Sequence, residues 1–313
     1  MIAFGPISSR RLGKSLGINN IISHKVCSYS CVYCQIGNTS NKSMIRQSFY
    51  EPEKLVEEVA CHLKKLSSEH TPDYLTFVAN GEPTLDVNLG KEICLLKRFG
   101  IPIAVITNAS LIQHKHVRDD LMQADWVSVK VDTVDETVWK RINRPMNWID
   151  FRKILKGLRS FASVYKGQLH TETMLIKGYS DQEAQMDQTA LFIAHLKPAK
   201  AYLSIPTRPP ALKEIKPATE ETLTEVWKIF QKAGLKTELL TGFEGTDTGT
   251  TGNAIEDILN ITAVHPLRED TIVKILKQEN ADNSIVDSLI AQGLITEVKH
   301  GGKTYYVRCY HLL

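Results

Sequence analysis

The sequence predicts an α/β protein, with a partial (β/α)6 barrel over residues 1–245, a linker over 246–264 and a small domain over 265–313. Three observations lead there. Strand-like apolar runs alternate with amphipathic helices from residue 51 to about 240, the rhythm of a parallel sheet covered by helices. Six or so such units are too few for a full eight-fold barrel. Residues 241–252 are crowded with Gly and Thr and read as a linker or mobile loop, after which the rhythm changes.

The elements follow in order. A helix over 52–66 opens on Pro52 and carries Leu55, Val59, Leu63 and Leu66 on one stripe. A strand over 74–79 runs into Asn80-Gly81-Glu82-Pro83, and a helix around 89–98 leads to a strand over 102–107. A further helical stretch precedes the strand 126–131. The helix 150–163 puts Phe151, Ile154, Leu158 and Phe161 on one face. Strand 170–176, helix 183–196 and strand 200–205 come next. Helix 220–233 has Thr219 as its N-cap and Gly234 as its stop, and strand 236–240 closes the series. Helices over 267–277 and 283–291 then precede strands over 294–299 and 303–308, joined by a hairpin turn at His300-Gly301-Gly302. Helix, helix, hairpin is the order of a winged-helix domain.

Alternation along the strands separates two faces. Val127, Val129 and Val131 point one way, while Ser128, Lys130 and Asp132 point the other. Helices cover the outside of a parallel barrel, so the valines face them and the polar set lines the lumen. The same holds for Thr76 with Val78 and Asn80, for His170 with Glu172 and Met174, and for Tyr202 with Ser204. A charge inside a barrel must be paired or ligand-bound, so Lys130 and Asp132 either bridge one another or serve a ligand. Arg208, just past a strand, and the Arg141/Arg144 pair offer guanidinium forks suited to carboxylate or phosphate.

Composition narrows the class. Apolar residues make up 42% of the 313, ample for a buried core. Neither a secretion signal nor a membrane-length apolar stretch is present in the sequence, so a cytoplasmic location without membrane attachment is expected. Residues 1–50 hold no Asp or Glu but carry Arg10, Arg11, Lys14, Lys25, Lys42 and Arg46, a basic surface or a positive rim around an anion site.

Three of the six cysteines lie together, so a metal site is favoured over disulfides. Cys27, Cys31 and Cys34 have the spacing C-x3-C-x2-C, which can ligate three irons of a cubane and leave the fourth open to a chelating ligand. Zinc with His24 as fourth ligand is the alternative, although zinc sites usually add a distant second pair that is absent here. Cys61 is expected to be exposed, and Cys94 to be a small core residue.

The cysteine motif, with Tyr33 before its last member, resembles that of the radical S-adenosylmethionine (SAM) superfamily. The stretch Gly5 to Gly17, with Asn143-Arg144-Pro145 and Arg208-Pro209-Pro210, resembles the branch related to archaeal wyosine synthases. The resemblance implies a barrel of the radical SAM type, a [4Fe-4S] cluster on Cys27, Cys31 and Cys34, and oxygen-sensitive reductive cleavage of SAM to a 5′-deoxyadenosyl radical. It implies that Tyr33 packs near the adenine and that Asn80, Gly81 and Glu82 meet the SAM amino group. Thr107 and Asn108 approach SAM, and Glu172 contacts its ribose. Lys130, Asp132 and Arg208 are the candidate catalytic residues, with Lys130 meeting the SAM carboxylate or the substrate. No cysteine precedes Cys27, whereas wyosine synthases carry an extra N-terminal cluster.

The expected function is a radical SAM enzyme acting on an anionic substrate, which is a small molecule, an RNA or a peptide. An external one-electron reductant such as ferredoxin or flavodoxin is its second partner. Two alternatives stand beside it: a tRNA-modifying enzyme of the wyosine-synthase type, and an iron–sulfur redox sensor with a winged-helix output. DNA binding is not expected, because acidic and basic residues balance over 266–308 and the second helix there has no Arg or Lys. All proposed ligands precede residue 245, so the C-terminal domain is expected to be separable from the cluster.

Overall fold

The computed structural model describes residues 2–21 and 24–309. The chain opens with an antiparallel hairpin of β1 (Ala3–Ser9) and β2 (Gly13–Ile18), shifted in register between Phe4 and Ile7. Apolar alternation does not announce it, because Gly5, Gly13 and Gly17 interrupt the pattern and glycine is depleted in strands. A Cβ at position 17 would stand 2.0 Å from the Phe4 ring, so packing excludes any side chain there.

Six alternating units follow. They run α1 (Pro52–Lys65), β3 (Tyr74–Phe77), α2 (Leu89–Leu96), β4 (Ile103–Thr107), α3 (Lys115–Leu121) and β5 (Trp126–Lys130). Next come α4 (Glu136–Asn143), α5 (Phe151–Ala162), β6 (Gln168–Met174), α6 (Glu183–Leu196), β7 (Lys200–Ser204), α7 (Glu220–Lys232) and β8 (Thr237–Leu240). Strands β1 to β8 form one curled sheet in sequence order, antiparallel at β1–β2 and parallel from β2 onward. The partial (β/α)6 barrel is therefore present, with β1 and β2 added at its leading edge.

Helix α4 went unread in the sequence; Asp135 caps it by accepting from the Thr137 and Val138 amides. Expected caps elsewhere are present. Thr219 accepts from the Thr222 amide, and Gly234 has φ of 80°. Among the described residues no helix is long and apolar enough to cross a membrane.

The Gly/Thr-rich stretch is a strap instead of a mobile loop. The Ser8 amide donates to the Asp247 carbonyl (3.1 Å) and the Gly249 amide to the Pro6 carbonyl (2.7 Å), so the chain leaving β8 returns to β1. The expected linker also contains α8 (Ala254–Thr262), capped by Asn253, whose side chain accepts from the Glu256 amide. Beyond it lie β9 (Leu267–Arg268), α9 (Glu269–Gln278), α10 (Ser284–Ala291), β10 (Ile295–His300) and β11 (Lys303–Arg308), the strands pairing in the order β10-β11-β9. Gly301 and Gly302 turn the hairpin with φ of 55° and 71°, the left-handed pair that a tight two-residue turn requires.

Two buried layers position the site. Helices α1 to α7 pack on the outer sheet face through residues such as Leu75, Val105, Val127 and Val129, as strand alternation predicts. Inside, Trp126, His170 and Tyr202 stack with ring centroids 4.7 and 5.6 Å apart and floor the lumen. The C-terminal core is not independent. Phe4 of β1 is buried in it beside residues of α8 and α9 such as Ile258, Ile261 and Ile272.

Candidate active site

Above that floor lies a cavity of about 320 Å³, lined by the C-terminal ends of the strands, the cysteine loop and residues 264–265. The cysteine loop, between β2 and α1, is gripped from several sides. The Val26 amide donates to the Asn80 carbonyl (3.1 Å) and the Glu82 amide returns to the Val26 carbonyl (3.0 Å). Gly81 has φ of 138°, and a Cβ there would lie 1.8 Å from the Val26 carbonyl oxygen, so only glycine permits this approach. Ser43 and Met146 donate their amides to the Cys27 and Ser28 carbonyls, both at 3.0 Å.

Cys27, Cys31 and Cys34 all line the cavity. Each sulfur has its own N–H donor. The Asn108 amide side chain reaches Cys27 Sγ at 3.3 Å, Asn143 reaches Cys31 Sγ at 3.4 Å, and Lys25 Nζ reaches Cys34 Sγ at 3.1 Å. Burial, with the neighbouring thiols, pushes Cys27 well above its ordinary value and Cys31 up to about 12, so a metal must displace their protons. Among the described residues no three His, Cys, Asp or Glu side chains converge on one ion. Three separate thiols with N–H donors and no fourth ligand suit a cubane, which takes each thiolate on a different iron, better than mononuclear zinc.

Glu82 is buried at the cavity wall. One carboxylate oxygen accepts from the Thr84 amide (3.1 Å) and hydroxyl (2.6 Å) and from the Thr107 hydroxyl (2.5 Å), and the other accepts from the Asn108 amide (2.7 Å). Burial raises its carboxyl, while these bonds lower it again only in part. Among the described residues it has no ion-pair partner.

Two other carboxylates are each clasped by two cations. Glu172 bonds Lys130 at 2.9 Å and also Arg11. Glu244 bonds Arg208 and, at 3.5 Å, Arg10. Burial alone would raise Glu172, but Lys130 and Arg11 hold it well below the usual carboxylate range. Arg10 still has its Nε and Nη1 buried without a hydrogen-bond partner. Arg208, Glu244 and His265 also line a second cavity of about 550 Å³, bordered by Lys213, Lys216 and Arg268.

The cavity thus gathers Tyr33, Gly81, Glu82, Thr107, Asn108, Lys130, Glu172 and Arg208 around the cysteines. Several expectations are corrected. Asn80 and Asp132 lie behind the wall. Asp132 accepts from the Tyr33 hydroxyl (2.5 Å), the Asn143 side chain (2.9 Å) and the Met174 amide (3.0 Å), so it braces the cysteine loop and does not bridge to Lys130. Arg141 lies over the Tyr179 ring, and Arg144 is an exposed left-handed helix cap; neither reaches the cavity. Cys94 is exposed, like Cys61.

In the sequence Arg10, Arg11 and Lys25 read only as a basic surface or positive rim and Asn143 only as part of a motif, while Glu244 and His265 go unassigned. The acid-free first fifty residues were the signal for Arg10, Arg11 and Lys25. Glu244 and His265 carried none, because their strap and roof positions depend on packing.

Six βα units curled around a cysteine loop, with a polar cavity at the strand ends, are the layout of a cofactor-dependent α/β enzyme. The chain belongs to the radical SAM superfamily, whose sequence pattern it matches over residues 21–193. It is similar to a UPF0026 protein of Methanocaldococcus jannaschii, with 47% identity over 309 residues covering 98% of this chain and 96% of the relative. It is 36% identical over 225 residues to a UPF0026 protein of Helicobacter pylori, covering 71% of each. Among solved structures it shares its fold with a radical SAM methyltransferase from Sphaerobacter thermophilus, at a TM-score of 0.55 and 14% identity, over 72% of this chain and 66% of the other. The protein is accordingly an enzyme whose cofactors are a [4Fe-4S] cluster and SAM, and it needs a reductant and a substrate.

Proposed function

We propose that Cys27, Cys31 and Cys34 hold the cluster and that the enzyme acts on a substrate bearing a carboxylate or phosphate. When bound, the cluster supplies the electron that cleaves SAM reductively to a 5′-deoxyadenosyl radical. Glu82, fixed by its hydrogen bonds and lacking a cation, receives the SAM ammonium. Lys130 and Arg11, oriented by Glu172, receive the SAM carboxylate. Arg10 and Arg208, oriented by Glu244, hold the anionic group of the substrate, and the stacked floor with the roof at Val264–His265 excludes water.

One observation carries the substrate class: the buried Glu172 and the half-buried Glu244 each face two cations. A surplus positive charge out of water is costly unless an anion meets it. SAM brings one carboxylate for the first group, so the second calls for an anion from the substrate. The adjoining cavity, bordered by Lys213, Lys216 and Arg268, leaves room for more of the same ligand.

The test uses a cell extract grown on deuterated medium and fractionated on an anion exchanger. Fractions are incubated with reconstituted enzyme, excess unlabelled SAM and dithionite, and transfer of a single deuterium into otherwise unlabelled 5′-deoxyadenosine is measured by mass spectrometry. Label is expected only from retained fractions, and Arg208→Gln should lose it. Label arising from the unretained fraction would overturn the anionic assignment.

A further inference from the structure

The two most exposed large apolar side chains among those described are Trp148, 80% exposed, and Ile45, 77% exposed. They do not lie at random. Ile45 follows Ser43, whose amide bonds the Cys27 carbonyl, and Trp148 follows Met146, whose amide bonds the Ser28 carbonyl. Lys42 ties the two segments together, its Nζ donating to the carbonyls of Arg144 (3.1 Å) and Pro145 (3.2 Å). Both apolar groups thus stand on segments clamped directly to the cysteine loop, and neither segment lines the cavity.

Charge specifies what would cover them. Residues 24–50 and 141–149 contain no carboxylate, Asp150 just beyond them faces Lys153, and among the described residues Lys42, Arg141 and Arg144 have no acidic ion-pair partner. Arg46 is taken up by Asp120. An exposed apolar pair within a positive surround fits a partner surface that is acidic with an apolar centre.

We infer that this face docks an acidic one-electron carrier protein, bringing its reduced cofactor to the outer side of the cysteine loop. The inference rests on the assignment of the cluster to Cys27, Cys31 and Cys34. In the step itself one electron passes from the carrier to the cluster; the carrier is oxidised by one electron, the cluster is reduced by one, and no bond forms. Contact from this side leaves the cavity free for SAM and substrate, so reduction need not wait for the active site to empty.

The experiment follows cluster reduction anaerobically in the reconstituted full-length enzyme, using flavodoxin hydroquinone as donor and dithionite as the small-molecule control. In wild type, the flavodoxin rate should fall as salt is added. Ile45→Glu with Trp148→Glu should slow the flavodoxin reaction about tenfold, the lower range of electrostatic steering, with the dithionite rate essentially unchanged. Both positions are exposed, and cluster absorbance in the variant checks that its fold is kept. If the double variant does not hold a cluster, the salt series on wild type decides alone. A flavodoxin rate indifferent to salt or to both substitutions would overturn the docking face, as would a change of oligomeric state on substitution. Failure of wild type to bind iron would instead remove the cluster assignment, a different result.

Discussion

Under the proposed reading, Glu82 is a side chain oriented before the SAM ammonium arrives. Three neighbours supply all its hydrogen bonds, so its carboxylate is oriented without a cation to neutralise it. Glu82→Gln should therefore weaken SAM binding while leaving iron content intact. A charge-assisted bond is worth about 1.5–3 kcal/mol, or about tenfold to a hundredfold in affinity, and calorimetric titration with SAM reads this directly. Among the cysteines, Cys31→Ala should abolish cluster assembly, whereas Cys61→Ala and Cys94→Ala should bind the full iron complement. Spacing made the three cysteines legible in the sequence. Their donors were not, because Lys25, Asn108 and Asn143 come from three separate segments that only folding brings together.

At the scale of elements, helix α2 buries an acid far from the cavity. Burial and the charge of Asp86 push the Glu92 carboxyl from its ordinary 4.5 up to about 9. Burial also takes Asp86 up to about 6, and Arg46 and Asn20 hold its surroundings. Glu92 keeps its proton when folded but releases it near its ordinary value when unfolded, so folding takes up a proton between those limits. Its contribution is full below the unfolded value and is lost as pH rises toward the folded one, at a slope of up to about 1.4 kcal/mol per pH unit. Glu92→Gln preserves the shape of the protonated acid. Its denaturant midpoints at about pH 6 and about pH 8.5 should draw closer than those of wild type, and it should be the more stable at the higher pH. A wild-type stability that rises across this range would contradict the reading. Helix α2 itself was legible from its apolar run, but the helical period could not reveal that Glu92 turns inward toward Asp86.

Over the whole molecule, the C-terminal unit behaves as a part of the barrel. Phe4 lies in its core, the strap at 247–249 pairs with β1, Gln35 donates to the Val264 carbonyl at 2.9 Å, and Tyr305 donates to the Thr207 carbonyl at 3.0 Å. Truncation after residue 252 would bare Phe4, at about 1.5–3 kcal/mol for a buried aromatic, and remove the roof at His265. A lowered melting temperature is expected, together with loss of substrate turnover, in contrast to the separable domain that sequence alone suggests. The C-terminal unit should add no salt-dependent DNA affinity of its own: full-length enzyme carrying Lys299→Gln and Lys303→Gln should match wild type in gel-shift titration, because phosphate binding needs a surplus of cations that this unit lacks.

Local chemistry made much of the protein readable before any fold. The βα alternation, the cysteine spacing and the helix caps depend on neighbours in the chain, and the parallel strands β3 to β8 and the set Cys27, Cys31 and Cys34 follow from them. The hairpin β1–β2 is local but glycine-interrupted, whereas the strap and the two cation-clasped carboxylates depend on residues more than thirty positions apart, as Arg10 with Glu244 and Arg208 with Glu244 show. Sequence could declare that Lys130 faces the lumen, because strand alternation is local. Only the tertiary structure could decide that it meets Glu172 and not Asp132, because pairing inside a barrel is set by the register between strands, where Lys130 lies opposite Glu172.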